Sequence, residues 1–405
     1  MFAQSPFRLL HNPRVDRTGS YGAERQGLLG GARFAQASAE IRSWPGYSVT
    51  ALRLLRTVAA DAGVDAVYYK DESSRFGLGS FKALGGAYAV FRLLTREIAR
   101  ATGVQIVHAA ELRNGKFNDL TRRITVTCAT DGNHGRSVAW GARMFGCRCV
   151  IFVHATVSRE RVAAIAAYGA EVRRSSGNYD DAVRLAARTA AAEHWFVVSD
   201  TSYEGYLDIP RDVMQGYALM VDEALRQLPP DAVPSHVFVQ CGVGGLPAAV
   251  CAHLWERFGT RRPRLIVVEP ENAACFYASA LEGRPTPVHG ALETVMAGLS
   301  CGEPSLIAWR LLDAGADDFM AIRDEPAVAC MRLLAEARRG DPPIVAGESA
   351  VAGVAGLLLA SSEPHARASL GLETSSRVLL FGTEGATDPA SYRQIVGRDP
   401  ADVVR

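Results

Sequence analysis

Residues 236–259 read HVFVQCGVGGLPAAVCAHLWERFG, and this stretch contains the pattern that decides the fold. HVFVQ (236–240) is a short apolar run rich in Val, which predicts a buried strand. The glycine-rich turn 242–245 follows it and leads into an apolar segment long enough for a helix. Such a turn leaves backbone N–H groups at the helix N-terminus, where a phosphate can bind. A plain tight turn between strand and helix is an equally good interpretation of this stretch alone.

The rest of the chain repeats this alternation of strand and helix. Five more runs resemble buried strands: ITVTCAT (124–130), CVIFV (149–153), WFVVSD (195–200), RLIVVEP (264–270) and RVLLFGTEG (377–385). Ala- and Leu-rich segments with helical periodicity lie between them, which predicts an α/β protein with parallel sheets. We expect two lobes, a large domain from residues 1–91 and 206–405 and a smaller inserted lobe from residues 92–205. A small-molecule site is expected in the cleft between them.

Composition limits the possible partners. The 405 residues are 48% hydrophobic with a net charge of +1, which argues against nucleic acid or an anionic membrane as the main partner. We find no apolar run of about 18 residues and no signal-peptide pattern, so we expect a cytoplasmic protein without membrane spans. The eight cysteines have no metal-site spacing. We therefore expect no metal site, and free thiols at Cys275 and Cys301.

Lysine is rare in this chain. Of the 44 basic residues, only Lys70, Lys82 and Lys116 are lysines, and the other 41 are arginines. A lysine amine can lose its proton and act as a nucleophile, whereas arginine stays protonated. Lys70 follows a strand-like run and precedes Asp71 and Glu72, which would hold it protonated, and Lys116 lies in a polar turn. Lys82, in the glycine- and serine-rich loop SSRFGLGSFKALGG (73–86), is therefore the candidate reactive amine.

Polar groups follow several of the predicted strands, where parallel strands bring side chains to one edge of a sheet. Such groups can form an enzyme site. Three of these groups also have a structural interpretation: Asn133 and Asp200 could cap helices, and His134 could be a contact at a helix start. The residues in question are Asp131, Asn133, His134, Asp200, Thr383 and Glu384.

Together these segments resemble the fold type II family of pyridoxal-phosphate enzymes, the group of tryptophan synthase β and threonine dehydratase. Ser80-Phe81-Lys82 matches the family's lysine motif, which implies that Lys82 forms a Schiff base with the cofactor. The resemblance extends over roughly residues 40–390 and implies two lobes, each an open twisted, mostly parallel sheet flanked by helices. It also implies a homodimer and the following cofactor-binding residues: Phe81, Lys82, Asn133, Gly242, Val243, Gly244, Gly245, Leu246 and, facing the pyridine nitrogen, Thr383.

Within this family, three segments resemble the diaminopropionate ammonia-lyases most: KDESSRFGLGSFKALGGAYAV (70–90), ATDGNHGRSVAWGA (129–142) and SDTSYEGY (199–206). Serine and threonine dehydratases usually have a small residue where this chain has Asp131. The resemblance implies that Asp131 and Asp200 are active-site carboxylates and that Tyr179 lies on the substrate side. Ser80 and Glu348 are further substrate-side candidates, although Glu348-Ser349 could also cap an apolar helix.

The expected activity is elimination from 2,3-diaminopropionate, through an aldimine, loss of the Cα proton and aminoacrylate, to pyruvate and two ammonia. Lys82 and Asp131 acting on opposite faces would allow both enantiomers to react. A serine or threonine dehydratase, or another β-eliminating or β-replacing enzyme of this family, is the alternative with the same cofactor. A non-catalytic ligand-binding protein with the same fold is the alternative from another class.

Overall fold

We describe residues 6–130, 132–177 and 179–403 of a computed structural model of the protein. The strands are β1 (Phe7–His11), β2 (Ala51–Leu54), β3 (Ala66–Asp71), β4 (Thr125–Ala129), β5 (Arg148–Val153), β6 (Glu171–Arg174), β7 (Phe196–Val197), β8 (His236–Gln240), β9 (Arg264–Pro270), β10 (Asp318–Ile322) and β11 (Arg377–Gly382).

The helices of the first half are α1 (Gly22–Leu28), α2 (Gly31–Arg42), α3 (Arg56–Ala62), α4 (Lys82–Thr102), α5 (Ala109–Arg113), α6 (Asn118–Thr121), α7 (Asn133–Phe145), α8 (Arg159–Ala166) and α9 (Tyr179–Glu193). Those of the second half are α10 (Asp208–Gln227), α11 (Gly245–Phe258), α12 (Cys275–Glu282), α13 (Leu306–Gly315), α14 (Asp324–Ala335), α15 (Ala352–Ser362), α16 (Pro364–Leu370), α17 (Pro389–Val396) and α18 (Pro400–Val403). Among these described helices, none has the length and apolar character needed to cross a membrane.

The larger of two compact units contains a seven-stranded sheet and is formed by residues 1–31, 49–74 and 220–405. Its strand order is β1-β10-β9-β8-β11-β3-β2, with five parallel central strands and an antiparallel strand at each edge. Phe238, Ile266 and Met320 of the central strands form a core with Val354 and Leu357 of α15. Because both faces of such strands are covered, most of their residues are apolar.

The smaller unit contains a four-stranded parallel sheet of order β6-β5-β4-β7 and is formed by residues 32–48 and 75–219. Helices α4 and α7 pack against each other in this unit. Helix α10 also comes very close to α4, since a Cβ at Gly216 would lie 1.9 Å from the carbonyl oxygen of Leu84. Glycine at position 216 therefore sets the separation of the two helices beside Lys82.

The predicted α/β class with parallel sheets is confirmed, and all six predicted strands are present, β7 only as two residues. The strand-like run before Lys70 is β3, whereas the sequence patterns did not predict β1, β2, β6 and β10. The predicted boundary at residue 92 falls inside α4, whereas the compact unit takes this helix whole, together with residues 32–48. The assignment of cofactor binding to one lobe stays a prediction.

Candidate active site

Lys82 is the first residue of α4 and belongs to the smaller unit. The preceding residue, Phe81, is buried and packs against Tyr217 of α10, with 4.5 Å between the ring centroids. Ser80 is buried beside them. The Lys82 ammonium lies 5.5 Å from the Phe81 ring centroid and 5.7 Å from that of Tyr217. Two aromatic rings therefore line the side chain that carries the candidate amine.

The Lys82 amine forms an ion pair with Asp200. Nζ donates to Oδ2 at 2.6 Å, and the two side chains are only 20% and 14% exposed. Burial by itself would raise the pKa of Asp200, but the positive charge of Lys82 and the nearby His134 bring that pKa well below its usual range. Asp200 is therefore a carboxylate that holds a positive charge at position 82.

The loop that carries Asp200 is fixed by Tyr206. The Tyr206 hydroxyl accepts a hydrogen bond from the N–H of Ser199 at 3.0 Å and donates to the carbonyl of Val197 at 2.8 Å. The next helix, α10, begins only at Asp208. The interpretation of Asp200 as a helix cap is therefore wrong, because its side chain bonds to Lys82 and no helix follows directly.

His134 lies against the same carboxylate. Its Nε2 donates to the carbonyl of Val198 at 2.7 Å, and its buried Nδ1 lies 3.9 Å from Asp200 Oδ2. Burial lowers the pKa of His134, so the imidazole is neutral at pH 7. The bond to Val198 supports the structural interpretation of His134, but the position of Nδ1 also places a basic nitrogen next to the ion pair.

The start of α7 is held by Thr130. Its hydroxyl oxygen accepts hydrogen bonds from the N–H groups of Gly132 and Gly135, both at 3.0 Å. Asn133 is half-buried at the first position of the helix, one residue after Gly132 at the N-cap. The roles expected of Asn133 stay predictions. Asp131 lies outside the described residues.

Tyr179 is the first residue of α9, and its ring meets the His154 ring edge-on at 6.4 Å between centroids. The expected substrate-side role of Tyr179 stays a prediction.

In the larger unit, β8 ends at Gln240 and leads through the glycine-rich turn into α11. Gly244 has φ +93°, a conformation that favours glycine. The N–H of Ser305 donates to the carbonyl of Val243 at 3.0 Å and anchors the turn. A helix leaves its first N–H groups without intrahelical partners. The N-terminus of this 14-residue helix, at Gly245 and Leu246, can therefore bind an anion.

Thr383 follows the neighbouring strand β11 in the same unit, and its hydroxyl is oriented by Gln240. Gln240 Nε2 donates to Thr383 Oγ1 at 2.8 Å and to the carbonyl of Phe381 at 2.7 Å. Because Oγ1 accepts this bond, the hydroxyl proton of Thr383 is left to donate to another acceptor. The sequence prediction included Thr383 but missed Gln240, a polar residue at the end of an otherwise apolar strand.

Glu348 and Glu384 are both buried in the larger unit. Glu384 Oε1 accepts from the N–H of Ser349 at 3.1 Å, while Ser349 Oγ accepts from the N–H of Gly298 at 2.9 Å. Helix α15 begins three residues after Ser349, without a side-chain cap. The interpretation of Glu348-Ser349 as a helix cap is therefore wrong, because Ser349 holds the segment around Gly298 instead.

Lys70 has the structural role that the sequence predicts, but with another partner. Its Nζ lies 2.9 Å from Glu223 and donates to the carbonyl of Thr50 at 2.8 Å in a fully buried position. The expected neighbour Asp71 pairs with Arg53 instead, at 2.8 Å. A lysine held in this way is not available as a nucleophile.

A family profile described as pyridoxal-phosphate dependent enzyme matches residues 44–379, which is most of the chain. The chain belongs to this family. It is 39% identical over 355 residues to the diaminopropionate ammonia-lyase of Escherichia coli K12, covering 87% of this chain and 88% of that protein. The structure of the E. coli holo diaminopropionate ammonia-lyase superposes with a TM-score of 0.87 at 35% identity, covering 96% of each chain. The complex of that enzyme with D-serine gives the same TM-score, identity and coverage.

The described side chains of this pyridoxal-phosphate dependent enzyme fit the chemistry of its cofactor, which has an aldehyde, a pyridine nitrogen and a phosphate. In the smaller unit, the Lys82 amine can bond to an aldehyde. In the larger unit, the Thr383 hydroxyl has a proton to offer to an unprotonated ring nitrogen, and the glycine-rich turn 242–245 offers N–H groups to a phosphate. Each functional group of the cofactor therefore has a suitable partner in the chain.

Proposed function

We propose that the protein is a lyase that eliminates ammonia from 2,3-diaminopropionate and yields pyruvate and two ammonia. The partly buried pair of Lys82 and Asp200, 2.6 Å apart, carries the proposal, because it joins the one candidate reactive amine to a carboxylate. Family membership and the 39% identity to a diaminopropionate ammonia-lyase support it.

In this proposal Lys82 bonds to the cofactor and, once released as a neutral amine, removes the Cα proton of the substrate. Ser80 and Phe81 position the lysine at the start of α4. When bound, pyridoxal phosphate supplies an electron-withdrawing ring that stabilises the negative charge left at Cα. Asn133 would hold the ring hydroxyl, Thr383 the ring nitrogen, and residues 242–246 the phosphate.

Asp200 would hold the second amino group of the substrate. As a carboxylate it attracts an ammonium and keeps the β-amine protonated until that amine leaves as neutral ammonia. A hydroxyl leaving group needs no such partner. A carboxylate here therefore favours diaminopropionate over serine, and Tyr179 and Glu348 would complete the substrate side.

We further propose that Asp131 takes the Cα proton of the opposite enantiomer from the one that Lys82 serves. Two observations support this proposal. The sequence places a carboxylate two residues before Asn133, and the related E. coli enzyme forms a complex with D-serine. Asp131→Asn should therefore reduce turnover of one enantiomer of diaminopropionate much more than that of the other. Equal losses for both would contradict this division.

A homodimer in the cytoplasm belongs to the same proposal and rests on the family resemblance. Light scattering of the purified protein should then give twice the chain mass of 43.4 kDa. A mass of one chain would contradict the dimer without affecting the proposed reaction.

The reaction is tested by its stoichiometry. Purified protein with pyridoxal phosphate should release two ammonia per pyruvate from diaminopropionate, and turnover of serine should be much slower with one ammonia per pyruvate. Lys82→Ala should abolish both reactions, while Lys116→Ala, which changes an exposed lysine, should leave both intact. A preference for serine would instead identify a dehydratase, and binding without turnover a ligand-binding protein.

A further inference from the structure

Two groups of the smaller unit, Lys82 and His134, lie on either side of one carboxylate oxygen of Asp200. Asp200 Oδ2 lies 2.6 Å from the Lys82 ammonium on one side and 3.9 Å from His134 Nδ1 on the other. His134 Nε2 donates its proton to the carbonyl of Val198 at 2.7 Å, so the neutral imidazole has its lone pair at Nδ1. This nitrogen is buried and makes no hydrogen bond in the part of the chain that the structure describes.

The distance of 3.9 Å between Asp200 Oδ2 and His134 Nδ1 agrees with an ionised carboxylate beside a neutral imidazole. A carboxylate oxygen and an unprotonated nitrogen are both acceptors, so without a proton between them they cannot form a hydrogen bond. While Lys82 keeps its charge, Asp200 is satisfied by the ammonium and no proton is shared with His134. Nδ1 is then a buried base that the resting arrangement does not use.

The ion pair itself hinders the reaction proposed for Lys82. An amine must lose its proton before it can attack an aldehyde or remove a Cα proton. Asp200 alone is a poor acceptor for that proton, because a carboxyl group with a lowered pKa remains ionised. Loss of the proton to solvent would leave Asp200 as a buried charge without its partner, which is unfavourable.

We propose that His134 takes up the proton that Lys82 gives up, with Asp200 as the relay. One N–H bond of the Lys82 ammonium breaks, Oδ2 of Asp200 passes the proton on, and a new N–H bond forms at Nδ1 of His134. Lys82 becomes a neutral amine, Asp200 stays a carboxylate and His134 becomes an imidazolium. The net charge of the three groups is zero before and after, so no buried charge is left unpaired. His134 acts through Asp200 and is therefore a positioning residue.

The surroundings of His134 favour this exchange. Lys82 on α4 lowers the pKa of His134 and Asp200 raises it, so loss of the lysine charge makes the imidazole more basic. Among the described residues, burial raises the pKa values of three titratable groups that interact with Asp200, which keeps them uncharged at neutral pH: Cys128 of β4, Tyr206 in the loop before α10, and Tyr217 of α10. The Arg161 side chain of α8 lies against Gly132 and adds a fixed positive charge near the start of α7.

The first test measures attachment of the cofactor, and it rests on the proposed role of Lys82. His134→Gln keeps an amide N–H for the bond to Val198 but removes the basic nitrogen. Added to the full chain freed of cofactor, pyridoxal phosphate should develop its visible absorption at least tenfold more slowly with this variant than with wild type at pH 7. The difference should shrink as the pH rises, because hydroxide can then remove the lysine proton. Equal rates with the same pH profile would overturn the proposal.

The second test does not depend on the cofactor. The protonation midpoint of His134, followed by NMR in cofactor-free protein and assigned through the sequential backbone resonances, should be at least one pH unit higher in Lys82→Met than in wild type. Equal midpoints would overturn the proton relay even if the variant of the first test fails to fold. If wild type does not attach the cofactor at all, the proposed function fails, while the NMR titration still decides the relay.

Discussion

At the scale of single residues, the three lysines of the chain have different surroundings. Lys70 is fully buried with Glu223, and Lys116 is exposed beside Glu111. Lys82 lies between these extremes, partly exposed and paired with Asp200. The rarity of lysine was enough to predict Lys82 from the sequence. Its pairing with a residue 118 positions away depends on how α4 packs near the end of β7, which no local pattern encodes.

Asp200→Asn should lower kcat for diaminopropionate about 100-fold, the usual range for loss of a proton-transferring or charge-holding group. It should also lower the free energy of unfolding at pH 7 by about 2 kcal/mol, because Lys82 then loses its partner in a largely buried position. Urea unfolding measures the second effect. Glu111→Gln, which breaks the exposed pair with Lys116, is the matched control and should leave the urea midpoint almost unchanged.

The stabilisation by this pair should depend on pH. The pKa of Asp200 is lower in the folded protein than its ordinary value of about 3.9, so the folded state favours the carboxylate. The contribution is complete above about pH 4 to 5 and is lost as the pH falls through the folded pKa. The stability difference between wild type and Asp200→Asn should therefore shrink below pH 4. A constant difference from pH 7 to pH 3 would contradict the lowered pKa.

At the scale of secondary-structure elements, the apolar runs predicted their strands, whereas the charged strand β10 was missed and β3 was recognised only as a strand-like run before Lys70. Lys70 of β3 and Asp318 at the start of β10 are both fully buried. Each charge is compensated by a distant partner, Glu223 for Lys70 and Arg264 for Asp318. Hydropathy patterns cannot anticipate such partners, which explains why β10 was missed. Gln240 was missed for a related reason, because its partner Thr383 follows a neighbouring strand that is distant in sequence.

Gly216→Ala tests the contact of α10 with α4. The new methyl group would lie 1.9 Å from the Leu84 carbonyl oxygen, so the helices must separate, and we expect a loss of about 2 kcal/mol or more in the free energy of unfolding. Gly27→Ala is the matched control, because an exposed helical position with open space around it should tolerate the methyl group. Similar effects of the two substitutions on denaturant midpoints would contradict the close approach.

Gly244→Ala tests the turn before α11. A Cβ there would lie 2.2 Å from the Phe276 ring and on a backbone with positive φ, so the turn must change shape. We expect the affinity for pyridoxal phosphate, measured by its absorption, to fall at least tenfold. Gly259→Ala at the other end of α11 also meets a positive φ but open space, and it should leave the affinity unchanged. Unchanged affinity in Gly244→Ala would exclude this turn from phosphate binding.

At the scale of the whole molecule, each of the two compact units has its own sheet, and the sequence predicted two such lobes. The boundaries were harder to predict, because residues 32–48 belong to the smaller unit through packing that sequence patterns do not reveal. The family resemblance was expected over roughly residues 40–390, and the family profile matches residues 44–379.

The cofactor should stabilise the whole protein against heat. A ligand that binds only the folded state at about 100 times its Kd adds about 2.7 kcal/mol. For a chain of 405 residues we expect pyridoxal phosphate to raise Tm by about 1 to 3 °C. Lys82→Ala should show a smaller rise because it lacks the covalent bond, whereas Lys116→Ala should match wild type. Equal rises in all three proteins would contradict a bond at Lys82.

The most direct test of the account identifies the lysine that bonds to pyridoxal phosphate. The purified yellow protein is reduced with borohydride and digested, and the labelled peptide is sequenced by mass spectrometry. We predict one pyridoxyl group per chain, on Lys82. A label on Lys70 or Lys116, or no label after incubation with excess cofactor, would contradict it.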